Sequence, residues 1–242
     1  MPRLVSARVG VRTALVTAAP VRVVIVDFDG VILESNGLKT EGFARVFADC
    51  PQHADAMMAF HHANVSMSRY DKFQHLVTQR LGRPADDPLV ADLAGRFSAV
   101  MMRLIEECPL VPGALEFLAE VSSRVPLFVS SMTPHAELVA ILERRGLASS
   151  FTGIYGYPPW PKRDVIANVL AERSVPAGEA LFVGDSAGDQ RVARDAGVEF
   201  LARNSGLPFD DPQPRTFPDM SAVLAAVRPR LFRGSSTERG SL

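Results

Sequence analysis

Two aspartates stand one residue apart at the end of a short apolar segment. The segment, residues 21–26 (VRVVIV), predicts a parallel strand covered on both faces, and Asp27 and Asp29 follow it. Unpaired carboxylates are costly at the end of a buried strand, and a magnesium ion, which prefers oxygen ligands, would offset that cost. One aspartate could then form a covalent aspartyl-phosphate while the other transfers protons. The alternative is a turn with helix-capping aspartates, because Asp-x-Asp-Gly alone is a weak pattern.

A second acidic group follows another apolar run. Residues 180–183 (ALFV) predict a strand, and the sequence GDSAGD then places Asp185 and Asp189 at the same edge of the predicted sheet. We expect Asp185 to complete the metal shell, and Asp189 either to bind the metal or to orient Asp185 and Lys162. The alternative is an N-cap at Asp185 or Ser186 with nothing bound.

The third signal is a lysine at the start of a helical pattern. Lys162 follows the sequence YPPWP at a position where the helix dipole disfavours a cation, which indicates an anion nearby. It would offset the charge of the nucleophile and hold phosphoryl oxygens. The alternative is a solvated surface lysine.

The fourth signal is a run of hydroxyl residues after the apolar segment 125–129. Ser130 and Ser131 begin it, and a hydroxyl there, together with the adjacent N–H of Met132, could donate to a phosphate oxygen. The spacing does not decide between the two serines, and we prefer Ser131. The alternative is a simple helix start, with Thr133 as N-cap and Pro134 at the first helical position.

The elements that must position these residues alternate between strands and helices. Apolar runs at 21–26, 125–129, 180–183 and 198–201 predict strands, and helical patterns cover 113–124, 134–145, 164–173 and 190–196. Gly146 and Gly197 are expected to end two of these helices. This order predicts an α/β fold with a parallel sheet and ligands at the carboxyl ends of its strands.

One segment breaks the alternation. Residues 38–108 contain only helical patterns, at 40–48, 54–62, 69–80 and 88–107, which predict an inserted all-helical module. Ser68 with Asp71, and Asp87 before Pro88, are the predicted helix starts. The predicted organisation is therefore an N-terminal extension (1–20), a core (21–37 and 109–228) with a last helix at 220–227, the helical module (38–108) and a disordered tail (229–242).

Composition excludes several classes of function. The chain has 242 residues, 47 % hydrophobic and 22 % charged, which suits a folded core. The net charge of -1 argues against nucleic acid or an acidic membrane as partner. Cys50 and Cys108 lie far apart, which argues against a disulfide framework or zinc site and favours the cytoplasm. Arg3, Arg8 and Arg12 interrupt the apolar N-terminal stretch, so no spanning segment is expected there.

Taken together and in this order, the four signals resemble the haloacid dehalogenase superfamily of phosphohydrolases over about residues 21–203. The resemblance implies a three-layer α/β/α Rossmann-like core. It implies Asp27 as nucleophile, Asp29 as general acid and base, and Lys162 steadying the phosphorus. Magnesium would be held by Asp27, the backbone carbonyl of Asp29 and Asp185.

The resemblance extends to the helical module, which looks like a C1-type cap that closes over the substrate. Dehalogenase members generally lack an acid at the position of Asp29, so its presence implies phosphoester chemistry. Sequence details resemble phosphoglycolate-phosphatase-type enzymes: the segments 131–134 and 155–158, and residues 68–73 of the cap. Trp160-Pro161 before the lysine, and Ser130-Ser131 where an asparagine commonly follows the hydroxyl, depart from that pattern.

The predicted phosphate-binding residues are Ser130, Ser131, Met132, Lys162 and Gly30. Substrate specificity is expected to reside in the cap, whose polar candidates are Glu34, Asn36, Lys39, His61, His62, Asn64, Ser68, Arg69 and Lys72. Of these, Asn36, Lys39, Arg69 and Lys72 are the predicted substrate contacts. The alternative for Arg69 and Lys72 is a salt bridge across one helix turn or a solvated face. The histidine pair lacks the spacing of a helical metal site and is interpreted as surface or capping chemistry.

The sequence therefore predicts a magnesium-dependent phosphatase acting on a small phosphorylated metabolite, such as a sugar phosphate or a phosphoglycolate-like monoester, as a monomer or homodimer. A phosphomutase, a phosphonate hydrolase using Lys39 or Lys72 in a Schiff base, and a non-catalytic binding protein remain alternatives. A nicotinamide-binding protein is disfavoured because no G-x-G-x-x-G follows the first strand.

Overall fold

The computed structural model describes residues 19–232, and its core is one parallel sheet. The strands are β1 (Val23–Val26), β2 (Leu127–Ser131), β3 (Gly153–Gly156), β4 (Ala180–Gly184), β5 (Glu199–Arg203) and β6 (Arg215–Phe217). Their spatial order is β3-β2-β1-β4-β5-β6. Val26 of β1 pairs with Val129 of β2 on one side and Val183 of β4 on the other. The polar residues after these strands therefore meet at one edge.

Helices cover both faces of the sheet. The helices are α1 (Asn36–Phe47), α2 (Pro51–Ala63), α3 (Arg69–His75), α4 (Leu89–Leu104), α5 (Ala114–Ser122), α6 (His135–Arg144), α7 (Lys162–Arg173), α8 (Ala187–Asp195) and α9 (Met220–Val227). Because side chains alternate along a strand, Val24 and Val26 pack toward α5, α6 and α9, while Val23 and Ile25 pack toward α7 and α8. The predicted three-layer α/β/α architecture is confirmed.

The helices α1–α4 lie between β1 and β2 in the chain and form the cap. Phe43, Phe47, Phe73 and Phe97 make up its centre, with 4.3 Å between the ring centroids of Phe43 and Phe97. Each buried aromatic side chain contributes about 1.5–3 kcal/mol to stability. A π-helical segment, Leu76–Arg80, extends α3. Helices in residues 19–232 are too short or too polar to cross a bilayer.

The sequence patterns missed two strands. Strand β3 contains two glycines and is only partly buried, and β6 is a three-residue strand after a proline-rich stretch. Both lie at the edges of the sheet, where the long apolar run of a central strand is not required.

Some local predictions hold and others do not. Gly146 and Gly197 adopt φ of +67° after α6 and α8, as expected of residues that end helices. Thr133, however, does not cap α6: the N-cap is Pro134, and the Thr133 hydroxyl bonds elsewhere.

The described core also continues beyond the predicted boundary at residue 228. Leu231 is buried and bridges to Val21 beside the sheet. Most of the predicted N-terminal extension (1–18) and of the predicted tail (233–242) lies outside the described residues.

Candidate active site

A buried lysine and two aspartates form the floor of the site. The Lys162 ammonium, at the first position of α7, lies 2.9 Å from Asp27 Oδ1 and 2.6 Å from Asp189 Oδ1. The Phe28 N–H donates to the same Asp27 oxygen over 2.7 Å. Burial opposes the charge of Lys162, but the two carboxylates outweigh it and raise its pKa. The solvated alternative for this lysine is therefore wrong.

Three buried carboxylates converge beside this ammonium. Asp27, Asp185 and Asp189 each turn an oxygen to within 4.8 Å of the others. Burial and neighbouring carboxylates raise the pKa of Asp27, and burial and Asp189 raise that of Asp185 to about 6. Three acidic groups for one ammonium leave an excess of negative charge that a hard divalent cation would neutralise. This donor set fits magnesium.

Hydrogen bonds fix the orientation of that acidic cluster. Asn36 Nδ2 donates to Asp185 Oδ2 over 2.6 Å, and Ser186 Oγ donates to Asp189 Oδ2 over 2.7 Å. Ser186 is also the N-cap residue of α8, since its Oγ accepts from the Asp189 N–H at 3.3 Å. A capping role at this position therefore does not compete with the predicted chemistry.

Gly30 explains why a glycine follows the two aspartates. Its φ is +71°, and a Cβ there would lie 1.9 Å from Asp185 Oδ2. The loop after β1 must therefore approach the carboxylate at the end of β4 with no side chain in between.

Asp29 has a different environment, composed of hydrogen-bond donors. Ser35 Oγ donates to its Oδ1 over 2.6 Å. Three groups contact its Oδ2: Lys39 Nζ at 2.5 Å, Thr133 Oγ1 at 3.1 Å and Ser131 Oγ at 3.2 Å. Burial alone would raise the pKa of Asp29, but Lys39 and the hydroxyl donors hold it below its usual value. These donors therefore favour the carboxylate form of Asp29.

The two serines of β2 point to different places. Ser131 Oγ contacts Asp29 and accepts from the Thr133 N–H at 3.0 Å. Ser130, its neighbour in the strand, has a buried hydroxyl with no hydrogen-bond partner among the described residues. Strand alternation accounts for the difference and places Ser131 beside the aspartates. Ser35 and Thr133 were missed as site residues, because each matches a helix-start pattern equally well.

A cavity of about 570 Å³ lies between the floor and the cap. The cap residues that line it include Asn36, Lys39, Thr40, Phe43, His61, His62, Ser66, Ser68, Arg69, Lys72 and Phe97. The core residues include Asp27, Asp29, Met132, Thr133, Lys162, Asp185, Gly188 and Asp189. All four predicted cap contacts therefore face the same space as the aspartates.

The solvated-face alternative for Arg69 and Lys72 and the surface interpretation of His61 are wrong, whereas the predicted substrate contacts remain predictions. Arg69 is buried and reaches across to the core, where its Nη1 donates to Glu137 of α6 at 2.9 Å. Lys72 is 1 % exposed and His61 is 3 % exposed, so neither lies on a solvated face. Inside the protein Arg69 pairs with Glu137 and Lys72 contacts His61, which a helical pattern does not reveal.

The other cap candidates have local structural partners. Glu34 forms an ion pair with Arg203, and Asn64 Nδ2 donates to the Phe60 carbonyl at the end of α2 over 2.9 Å. Ser68 caps α3 by accepting from the Asp71 N–H at 3.1 Å.

Comparison with known proteins identifies the family. The model of the haloacid dehalogenase-like hydrolases matches residues 24–203. A phosphoglycolate phosphatase from Rhodobacter capsulatus is 29 % identical over 153 residues, which are 60 % of this chain and 67 % of that protein.

Two solved structures share the fold. CbbY from Rhodobacter sphaeroides, in complex with phosphate, has a TM-score of 0.67 at 19 % identity and covers 86 % of this chain and 99 % of its own. A β-phosphoglucomutase from Clostridium difficile has a TM-score of 0.62 at 14 % identity over 76 % of this chain and 85 % of its own. With the family model matching most of its length, the chain belongs to the haloacid dehalogenase-like hydrolases and is a phosphatase of that family.

Proposed function

We propose that the protein is a magnesium-dependent phosphatase that hydrolyses a small phosphorylated metabolite, a sugar phosphate or a phosphoglycolate-like monoester, through an aspartyl-phosphate at Asp27. The observation that carries the proposal is the ammonium of Lys162, held between Asp27 (2.9 Å) and Asp189 (2.6 Å) in a buried cluster with excess negative charge. Such a cluster attracts a divalent cation, and that cation together with the Lys162 ammonium would attract a phosphoryl group.

In the first step Asp27 attacks phosphorus. Both of its contacts involve Oδ1, so Oδ2 is the oxygen that can form the new bond. As the Oδ2–P bond forms, the P–O bond to the leaving group breaks, and the leaving oxygen takes a proton from Asp29. Lys162 donates to the phosphoryl oxygens as negative charge builds up on them.

Asp29 must take up that proton from solvent when substrate binds. Its surrounding donors favour the carboxylate in the substrate-free protein. An arriving phosphate dianion opposes a second negative charge and raises the pKa of Asp29, which favours the acid. In the second step Asp29, which has given up its proton and is a carboxylate, acts as a base and takes a proton from water. The water oxygen bonds to phosphorus, and the bond between phosphorus and Asp27 Oδ2 breaks to release phosphate.

Asp27, Asp185 and Asp189 are the side chains that would hold magnesium, and the backbone carbonyl of Asp29 remains a predicted ligand. When bound, the ion supplies positive charge to the phosphoryl oxygens. The cap excludes water from the reacting atoms, since Asp27 is 6 % and Asp29 is 4 % exposed.

The test is phosphate release from a panel of phosphomonoesters, with magnesium or with a chelator. We expect turnover by the wild type with magnesium only, and loss of it in Asp27→Asn. The matched control is Asp195→Asn, which makes the same change at an aspartate that is 65 % exposed on α8.

Acid-quenched enzyme should carry a phosphoryl group that hydroxylamine removes and that Asp27→Asn cannot form. Turnover by Asp27→Asn comparable to that of Asp195→Asn would exclude Asp27 as nucleophile. Full turnover in chelator would exclude the metal requirement.

A further inference from the structure

The three lysines of the chain have a common location. Of its 26 lysines and arginines, only Lys39, Lys72 and Lys162 are lysines, and all three line the cavity. Lys39 is paired with Asp29, and Lys162 with Asp27 and Asp189. Among residues 19–232, no carboxylate forms an ion pair with Lys72. Lys72 is therefore the lysine whose role in the site is unexplained.

The contacts of Lys72 require its amine to act as a donor. Its Nζ donates to the Val65 carbonyl at 3.4 Å and lies 3.0 Å from His61 Nδ1. His61 Nε2 in turn lies 3.1 Å from Thr40 Oγ1, which donates to the Asn36 carbonyl. One consistent arrangement has His61 neutral, accepting at Nδ1 and donating from Nε2. An ammonium has three protons, so this arrangement leaves one N–H of Lys72 directed at neither His61 nor the Val65 carbonyl.

Burial makes this charge expensive without an anion. Lys72 is 1 % exposed and its ammonium lies 4.7 Å from the centre of the Phe43 ring, a contact that offsets only part of the lost hydration. Burial, and then the charge of Lys39, lower the pKa of Lys72 to about 7. An anionic group of a bound molecule would relieve this cost.

We propose that Lys72 binds a second anionic group of the substrate, so that the enzyme selects phosphomonoesters that also carry a carboxylate or a second phosphate. This inference rests on the proposed function, because it assumes that the scissile phosphate occupies the floor at Asp27 and Lys162. Arg69 is not available for this role while it is paired with Glu137. The volume of about 570 Å³ accommodates a molecule with groups at both ends.

The experiment compares two pairs of phosphate esters, and the members of each pair share one phosphate ester and differ in the second anionic group. One pair is 3-phosphoglycerate and glycerol 3-phosphate, which differ in a carboxylate; the other is glucose 1,6-bisphosphate and glucose 1-phosphate, which differ in a phosphate. Kinetics are measured for the wild type, Lys72→Met and Arg80→Met, the last of which removes an exposed cation from the same helical segment.

The wild type should prefer the doubly anionic member of at least one pair. Lys72→Met should raise its KM about 10- to 100-fold, the effect of one charge-assisted hydrogen bond, and leave the other member within about twofold. The responding pair shows whether the second group is a carboxylate or a phosphate. Equal effects on both members of each pair would overturn the proposal, and so would reductive trapping of a carbonyl compound on Lys72.

A wild type that hydrolyses none of the four esters would refute the proposed function for these compounds rather than the role of Lys72. The role of Lys72 is then tested by NMR on protein labelled with ¹³C-lysine, whose three Cε signals are assigned with Lys72→Met. Adding 3-phosphoglycerate should raise the titration midpoint of the Lys72 signal, while glycerol 3-phosphate should not. Unchanged midpoints with both compounds would overturn the role of Lys72.

Discussion

Replacement of Lys162 by methionine tests the charge balance of the active site. Methionine has nearly the same length and no charge. The Lys162 ammonium contacts Asp189 at 2.6 Å and Asp27 at 2.9 Å, and all three side chains are at most 9 % exposed. The variant would leave Asp27, Asp185 and Asp189 facing one another without that cation.

Removing one partner of a buried ion pair costs about 3–5 kcal/mol. In a domain of this size about 1 kcal/mol corresponds to about 2–4 °C, so the Tm of the metal-free variant should fall by about 6–20 °C at pH 7. The pKa of Asp27 is raised in the folded protein, and losing Lys162 raises it further. Folded Asp27 therefore binds a proton more readily than unfolded Asp27, and the penalty should shrink as pH falls toward 4.

The assay is urea and thermal unfolding of wild type, Lys162→Met, Asp189→Asn and the double variant, in chelator and in magnesium. Asp189→Asn should lower the free energy of unfolding by at least about 1 kcal/mol less in the Lys162→Met background than in the wild type. Magnesium should stabilise Lys162→Met more than the wild type, because the ammonium no longer opposes the cation. Arg163→Met, at a 79 % exposed position, is the control. Additive effects, or a Lys162→Met cost below about 0.5 kcal/mol at pH 7, would refute the reasoning.

Two further predictions concern the cap. The ratio of kcat/KM for 3-phosphoglycerate to that for glycerol 3-phosphate should fall about tenfold from pH 6 to pH 8, because Lys72, with a pKa of about 7, loses its proton in this range. His61, with a pKa of about 3, stays neutral, and Lys39 stays paired with Asp29. A ratio that does not change with pH contradicts this prediction. Gly188→Ala should raise KM about tenfold, since a Cβ there would lie 2.9 Å from the Ser66 side chain of the cap and hold the cap away. Adding Ser66→Gly should restore the KM, and failure of that rescue would show that the cap does not close against Gly188.

The convergence of the candidate catalytic residues was predictable because it depends on topology. Asp27 and Asp185 follow central strands whose apolar runs are strong signals, and parallel strands bring such residues to one edge. The edge strands Gly153–Gly156 and Arg215–Phe217 were not predictable by the same signal. Their exposed or partly buried residues lack the hydrophobic pattern on which the prediction depends.

The interior of the cap was much less predictable. A helical pattern separates apolar from polar positions, but a polar side chain that faces a cavity and one that faces solvent both leave the apolar stripe. A solvated face was therefore the alternative to substrate contact for Arg69 and Lys72, and His61 was interpreted as surface or capping chemistry, yet all three are buried. The rarity of lysine was an available signal that position 72 is unusual. The chain has arginine at 23 of its 26 lysine and arginine positions, and position 72 is one of the three that have lysine.

The choice between the two basic residues has a physical basis. Arginine pairs with carboxylates at fixed structural positions, as Arg203 does with Glu34 and Arg230 with Glu199. Lysine is a compact charge that changes partners more readily, and the proposed mechanism requires such an exchange at Lys162 when a phosphoryl group binds. By this argument a substrate with charge at one end only would satisfy the floor and leave Lys72 unpaired beneath the cap. Selectivity for a second anion should therefore appear as a difference in how well the cap closes, and so in KM.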